Sequence, residues 1–256
     1  MIEQVVTFQL SPAERKAYDG MVSSLHFELP DLDDFTASEK ARLAKIQTLA
    51  SGFVYDTDGE YGEPGGVIRI GDASSRVSLA VDMCLRCASE GERVLLFYNY
   101  RETGVMFGEA CNAAGLRVAS VKGSDNRWLN KWNAGEIDVL VANPASAGHG
   151  LNLQGVGHII IWLELTYNYE LFAQANARLH RTGQTQQVVV YYLVAADTID
   201  KAILAALRRK HNENREVEEV TKKNAPERRK AAEKDKFGLP AYIGVNEKDV
   251  KKEFLF

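Results

Sequence analysis

The chain has 256 residues, 45% of them hydrophobic and 26% charged, which is ordinary globular composition with enough apolar content for a substantial core. Its formal charge of −4 excludes a globally basic field, so any nucleic-acid contact has to come from a local patch. No basic segment followed by an apolar one opens the chain, and the longest apolar run, HIIIWL at 158–163, is far too short to span a bilayer; a cytoplasmic protein with no membrane partner is expected.

The first segment opens with the alternating VVTFQL and continues into SPAERKAYDGM. Ser11, Pro12 and Glu14 have the spacing of a helix start, with Ser11 as cap, proline at the first helical position and Glu14 at the capping-box position. After the acidic link LPDLDDF, a second helix is predicted through SEKARLAKIQTLASG. DTDGEYGEPGG, from residue 56, reads as an exposed turn or hairpin tip. Residues 1–71 are therefore expected to form a helical arm ahead of the main domain.

From Asp72 helical and strand patterns alternate. Helices are predicted at 75–89, 101–114, 125–134, 168–181 and 197–211, with strands at 93–99, 116–121, 138–143, 158–163 and 188–194. Strands this apolar are buried on both faces, and the helices between them supply right-handed parallel crossovers. The expected fold is α/β: one doubly wound, mostly parallel sheet over 72–211 with helices on both faces. Beyond it, 212–256 reads as a charged helical tail whose mixed charges support one another along a solvated face, or else contact nucleic acid.

The cysteine pair of CLRC, Cys84 and Cys87, has no second CxxC to complete four ligands. Val77, Ala80, Val81, Cys84, Leu85 and Ala88 instead trace one helical face, so core packing is expected and no metal site.

Ligands of an open parallel sheet bind beyond the carboxyl ends of its strands, which directs attention to four loops. NYRET places Arg101 at a strand-to-helix junction, where it either holds a phosphate or solvates a helix start. VKGSD offers Lys122 beside Gly123, permitting close approach of an anionic backbone. In VANPASAGHGLNLQG, Pro144 sets a turn, Ser146 offers a hydroxyl, and Gly148 and Gly150 remove side-chain bulk, for a ligand or simply for turns. In QANARLHRTGQTQ, a helix over 168–181 would align Gln174, Arg178 and Arg181 on one stripe, with Leu171, Ala175 and Leu179 on another facing the sheet. Only Glu164 and Glu170 lie near enough in sequence to pair with these arginines.

Taken together, RVLLFYNYRET, KWNAGEIDVLVANPASAGHGLNLQ, IIIWLELTYNYELFAQANARLHRTGQTQQVVVYYLV and TIDKAILAALRRK resemble motifs IV, V and VI of the second RecA-like lobe of SNF2-type superfamily 2 helicases, with wording similar to phage and bacterial members. The resemblance covers roughly 76–210, and the arm is similar to the segment that bridges the two lobes in such proteins. The most specific element is QxxxRxxRxGQ, spelled by Gln174, Arg178, Arg181, Gly183 and Gln184.

The resemblance implies roles. Arg178 and Arg181 would reach across an inter-lobe cleft to ATP phosphates, with Gln174 placing the attacking water or γ-phosphate. Gly150 and Asn152, beside Gly148, would face the nucleotide, Asn152 bonding the ribose. Arg101 and Lys122 would belong to the DNA-binding surface. Where many relatives carry a Ser-Thr pair at the start of motif V, this chain has Asn143-Pro144, which leaves Asn143 or Ser146 for the DNA phosphate contact.

The family's phosphate loop, GxxxxGK[ST], and its DExx acid have no counterpart: the sequence contains neither a Gly-Lys nor an Asp-Glu dipeptide. The expectation is half of an ATP hydrolase. ATP with Mg²⁺ would be engaged only together with a complementary first lobe, and duplex or branched DNA would be the partner, in a bacterium or in the host cytoplasm of a phage. The isolated chain is expected to lack turnover. The alternative is a non-catalytic nucleic-acid-binding or regulatory module that retains the fold.

Overall fold

A computed structural model describes the chain except residues 26–36, 56–65, 122–126, 147–152, 154, 215 and 217–256. Two compact units are present, Met1–Arg209 and Lys210–Phe256. In the second, the described positions 210–214 and 216 are helical. The acidic link 29–35, the tip at 56–65 and most of the expected tail fall outside the described residues.

The first unit is built on a six-stranded sheet. Its strands are β1 (Ile2–Phe8), β4 (Val94–Phe97), β5 (Val118–Ser120), β6 (Val139–Ala142), β7 (Ile159–Trp162) and β8 (Val189–Ala195). They lie in the order β1-β8-β7-β4-β6-β5, and every neighbouring pair is parallel. Strands β4, β6 and β7 are buried at every position, as their unbroken apolar runs require.

Helices cover both faces. On one, α1 (Pro12–Leu25), α2 (Ala37–Leu49), α5 (Arg127–Asn133) and α6 (Tyr169–Asn176) pack Tyr18, Ile46, Trp132 and Phe172 against Leu95, Leu140 and Ile160. On the other, α3 (Ser75–Ser89) and α4 (Arg101–Ala113) pack Ala80, Cys84, Phe107 and Cys111 against Leu96, Val139 and Ile161. This is the doubly wound α/β arrangement expected from the alternating pattern. Helix α3 has the predicted bounds; Leu85 is exposed, while Ala88, with Cys87, packs half-buried against the cluster that Val77, Ala80, Val81 and Cys84 enter fully.

The expected arm does not stand apart from the sheet. Ile2–Phe8 pairs residue by residue with Val189–Ala195 as the edge strand of the main sheet, and the compact unit begins at Met1 rather than at residue 72. The capping box is formed in full: Ser11 N–H donates to Glu14 Oε2 at 2.8 Å and Glu14 N–H to Ser11 Oγ at 3.3 Å. Glu14 is fully buried because its other oxygen caps a second helix, accepting from Ser75 N–H at 3.0 Å. Strands β2 (Phe53–Tyr55) and β3 (Val67–Arg69) form a separate antiparallel pair that brackets the predicted hairpin tip.

Candidate functional site

Because all six strands run the same way, the sheet has one carboxyl edge and one amino edge. The sequence-predicted site residues divide between them. Arg101 opens α4 just after β4, and Asn143 and Ser146 follow β6, so these three lie at the carboxyl edge. Arg178 and Arg181 lie between α6 and β8, at the amino edge. Lys122, Gly148, Gly150 and Asn152 fall outside the described residues.

The placement of the two arginines corrects the helix predicted over 168–181. Asn168 caps α6, its side chain accepting from Leu171 N–H, but the helix ends at Asn176. Beyond it the bonding is mixed: His180 N–H still reaches the Asn176 carbonyl at 3.2 Å, but Arg178 N–H reaches the Ala175 carbonyl at 3.1 Å and Arg181 N–H the Leu179 carbonyl at 3.2 Å, shorter spans that end the regular helix. Asn176 is turned inward, accepting from Trp162 Nε1 at 2.9 Å. Ala175 and Leu179 are buried as expected, whereas Arg178 and Arg181 sit on successive turns and not on a helical stripe with Gln174.

Gln184 pins this turn segment. Its Nε2 donates to the Gly157 carbonyl at 3.0 Å, just ahead of β7, while its Oε1 accepts from Gln186 N–H at 2.9 Å. A backbone bond from Gln184 N–H to the Arg181 carbonyl, 3.1 Å, closes the last turn, and Gly183 takes φ of 98°, a conformation that favours glycine. Beside it opens a polar recess of about 360 Å³ lined by Met1, His180, Arg181, Thr182, Gln184 and Val188.

Among the described residues no carboxylate pairs with Arg178 or Arg181. Of the two acids nearby in sequence, Glu164 is fully buried at the opposite edge and Glu170 is exposed. The Nε of Arg178 is shielded from solvent without a hydrogen-bond partner. Burial and the neighbouring charge of Arg181 pull the Arg178 guanidinium below its ordinary value. It stays protonated at neutral pH regardless, so two like charges are held together with no carboxylate among the described residues paired to them. An anion with several oxygens fits that arrangement; a single surface carboxylate does not supply the forked acceptors both groups present.

Trp132, not among the residues singled out from the sequence, holds Leu153 and Gly157 ahead of β7. Its Nε1 donates to the Leu153 carbonyl at 3.1 Å, and the ring lies so close to Gly157 that a Cβ there would come within 2.6 Å of Cζ2. A tryptophan packed next to a glycine that precedes a strand is legible only once the two are known to meet.

At the carboxyl edge the crevice between β4 and β7 is filled by the chain itself. Gln47 of α2 donates to the Leu165 carbonyl at 2.8 Å and accepts from the Tyr100 hydroxyl at 2.7 Å. Glu164 accepts from Asn99 N–H at 3.0 Å and from the Thr103 hydroxyl. Burial raises its carboxyl above the ordinary range, against the opposing effects of Arg76 and of these hydrogen bonds. The Asn143 amide, expected to face a nucleic acid, is spent within the chain: Nδ2 donates to the carbonyls of Tyr98 and Asn99, and Oδ1 accepts from Ala145 N–H at 3.0 Å. Arg101 and Ser146 remain exposed. A lone acid at the end of an apolar strand was the signal for Glu164, which sequence reasoning considered only as an arginine partner.

The cysteines belong to the hydrophobic cluster under α3 and α4. Cys84 and Cys111 are buried and Cys87 half-buried, with burial raising all three thiols. Among the described residues no three His, Cys, Asp or Glu side chains converge as a metal site, and no helix is long and apolar enough to cross a membrane.

Comparison with known proteins places these features in context. Residues 76–183 match the family described as helicase conserved C-terminal domain. The chain is 29% identical over 212 residues to putative protein p41 of Acyrthosiphon pisum secondary endosymbiont phage 1, covering 79% of this chain and 42% of that protein. It is 30% identical over 123 residues to the uncharacterized ATP-dependent helicase YqhH of Bacillus subtilis, covering 46% of this chain and 22% of that protein. The human lymphoid-specific helicase is 31% identical over 128 residues, 47% of this chain and 15% of that protein. The chain thus spans less than half the length of these relatives. Among solved structures, the C-terminal part of the Fun30 ATPase domain superposes with a TM-score of 0.65 at 16% identity, over 80% of this chain and 88% of that one, which establishes a shared fold.

Proposed function

We propose that the chain, whose residues 76–183 match the helicase conserved C-terminal domain family and whose fold is shared with the C-terminal part of the Fun30 ATPase domain, is the C-terminal RecA-like lobe of an SNF2-type superfamily 2 helicase and acts as the second half of a DNA-dependent ATPase, completing a nucleotide site at its amino edge and a DNA grip at its carboxyl edge. The observation that carries this reading is the pair Arg178 and Arg181, which no carboxylate among the described residues neutralises, held by Gln184 at the edge opposite Arg101 and Ser146. ATP, held with Mg²⁺ by a complementary lobe, supplies the phosphoanhydride bond to be broken. Arg178 and Arg181 stabilise the negative charge on the transferred phosphoryl oxygens, and Gln174, exposed on α6, orients the attacking water. Gly148, Gly150 and Asn152 face the nucleotide, while Arg101, Lys122 and Ser146 meet the DNA backbone.

The division of labour between edges gives translocation a physical route. Closing the nucleotide cleft moves this lobe relative to its complement, and a grip carried on the other edge moves with it. The isolated chain lacks turnover, because the tight phosphate contacts lie on the complementary lobe.

Reconstitution tests the proposal. Adding a first lobe that bears the phosphate loop should produce DNA-dependent ATPase, and Arg181→Ala should lower turnover by about 10³–10⁵-fold with DNA binding retained. Unchanged turnover with weakened DNA binding would instead support a non-catalytic binding module. Robust hydrolysis by the chain alone would sink the division into halves.

A further inference from the structure

Two consecutive peptide units at the exit of β4, 98–99 and 99–100, are gripped by side chains that follow both neighbouring strands. Asn99 N–H donates to Glu164 Oε2 at 3.0 Å, and Glu164 follows β7. The Asn99 carbonyl accepts from Asn143 Nδ2 at 3.2 Å, and Asn143 follows β6. The same amide reaches the Tyr98 carbonyl at 3.3 Å. Strands β6 and β7 flank β4 in the sheet, so the clamp closes from both sides.

The clamp extends into α4. Glu164 Oε1 accepts from the hydroxyl of Thr103, in the first turn, and Thr103 is itself fully buried. Tyr100 is tied to Gln47 through its hydroxyl at 2.7 Å. Gly104 lets the Tyr98 ring lie flat against the helix, since a Cβ there would meet it at 3.0 Å. Residues 99, 100 and 103 are therefore each fixed through a backbone or side-chain bond. Arg101, in their midst, is exposed and pairs with no carboxylate among the described residues.

A fully buried carboxylate is a costly way to satisfy one N–H and one hydroxyl, because the charge is taken out of water. Glu164 does have a counter-charge nearby in Arg76, yet that guanidinium already pairs with Asp200. What the carboxylate adds over a neutral group is two acceptors in fixed geometry, joining the strand exit to the helix start through charge-assisted bonds. Rigidity of this kind matters where a side chain has to be presented in one place.

We propose that Glu164, with Asn143, is a positioning residue for DNA binding: it fixes the β4–α4 junction so that the Arg101 guanidinium is presented to a DNA phosphate. This rests on the reading that the carboxyl edge grips DNA.

The test uses the chain reconstituted with its complementary lobe and a duplex DNA probe. Glu164→Gln keeps the volume but replaces one acceptor with a donor. It should raise the half-saturating DNA concentration by roughly tenfold and lower the salt slope of DNA binding by about one, as Arg101→Ala does, while the KM for ATP holds its wild-type value. The double variant should bind no more weakly than Arg101→Ala. If Arg101→Ala leaves DNA affinity and salt slope unchanged, the DNA-grip reading itself fails. If Arg101→Ala weakens binding but a folded Glu164→Gln does not, the positioning role alone fails. Should Glu164→Gln not fold, Thr103→Val and Thr103→Ser carry the same test, the first reproducing the loss and the second restoring binding; equal affinities for the two would overturn the proposal.

Discussion

The Arg76 guanidinium meets the Asp200 carboxylate at 2.6 Å with both side chains withdrawn from solvent. Arg76 also donates to the carbonyls of Leu163, just after β7, and Leu193, within β8, at 2.6 and 2.9 Å, and to Ala50 at 3.2 Å. Asp200 Oδ2 accepts in turn from Ala195 N–H at 2.9 Å, and the Phe8 ring covers the guanidinium at 5.2 Å. One ion pair thus ties the first turn of α3 to β1, to β7 and to the turn after β8. Breaking it from one side, by Arg76→Met or Asp200→Leu, should cost about 3–5 kcal/mol in urea unfolding, because the remaining charge is buried alone. The double replacement should recover part of the loss, and single-variant costs below about 1 kcal/mol would contradict the account.

Gly157 has no room for a methyl group. An added Cβ would lie 2.6 Å from Cζ2 of Trp132, which is fully buried and held through its indole N–H. Gly157→Ala should therefore destabilise the domain by about 1–3 kcal/mol in thermal or urea denaturation. Gln184 bonds the carbonyl of this same residue, so the substitution should also reduce turnover of the reconstituted enzyme. A variant of wild-type stability would show that Trp132 yields easily.

The Glu164 carboxyl sets a pH dependence of stability. Burial raises it above the ordinary 4.5, so between that value and its folded value the native state holds a proton the unfolded chain has released. Stability contributed by this group is accordingly present below pH 4.5 and falls as pH rises through the folded value. Glu164→Gln cannot titrate, so the stability of wild type relative to this variant should decline across that window and level off above it. A difference that stays constant with pH would reject the assignment.

Arg178→Lys and Arg181→Lys preserve charge but remove the planar fork. Each should lower ATP turnover of the reconstituted pair by at least about tenfold while leaving DNA affinity as it was, since both lie at the amino edge. Full activity with lysine at both positions would mean that charge alone suffices and that no forked contact is made.

Much of this architecture was legible from local pattern. Helix α3 falls at the predicted bounds because a polar cap, Ser74, precedes a helical apolar period. The box of Ser11 and Glu14 was visible in four residues. What escaped were the long-range uses of the same groups. Glu14 caps α3 sixty-one positions away, and the strand taken as part of an arm pairs with one near the other end of the unit. Strand β1 is exposed over most of its length, so its pattern carried no mark of the sheet it joins. The end of α6 escaped for a related reason: Leu171, Ala175 and Leu179 keep helical spacing, yet an inward Asn176 bonded to Trp162 accompanies the shift to tighter turns.

By itself the sequence determined the alternation of buried strands and covering helices, and the order and spacing of the residues that carry chemistry. These follow from short-range hydrogen bonding and from the periodicity of apolar side chains, which neighbours in the chain settle among themselves. Only the tertiary structure decided that Arg178 and Arg181 stand on the opposite edge of the sheet from Arg101, and that Asn143 and Glu164 serve to hold a loop. Which edge a residue occupies depends on strand direction and on where each crossover lands, and a buried carboxylate finds its donors only when separate strands have been brought side by side.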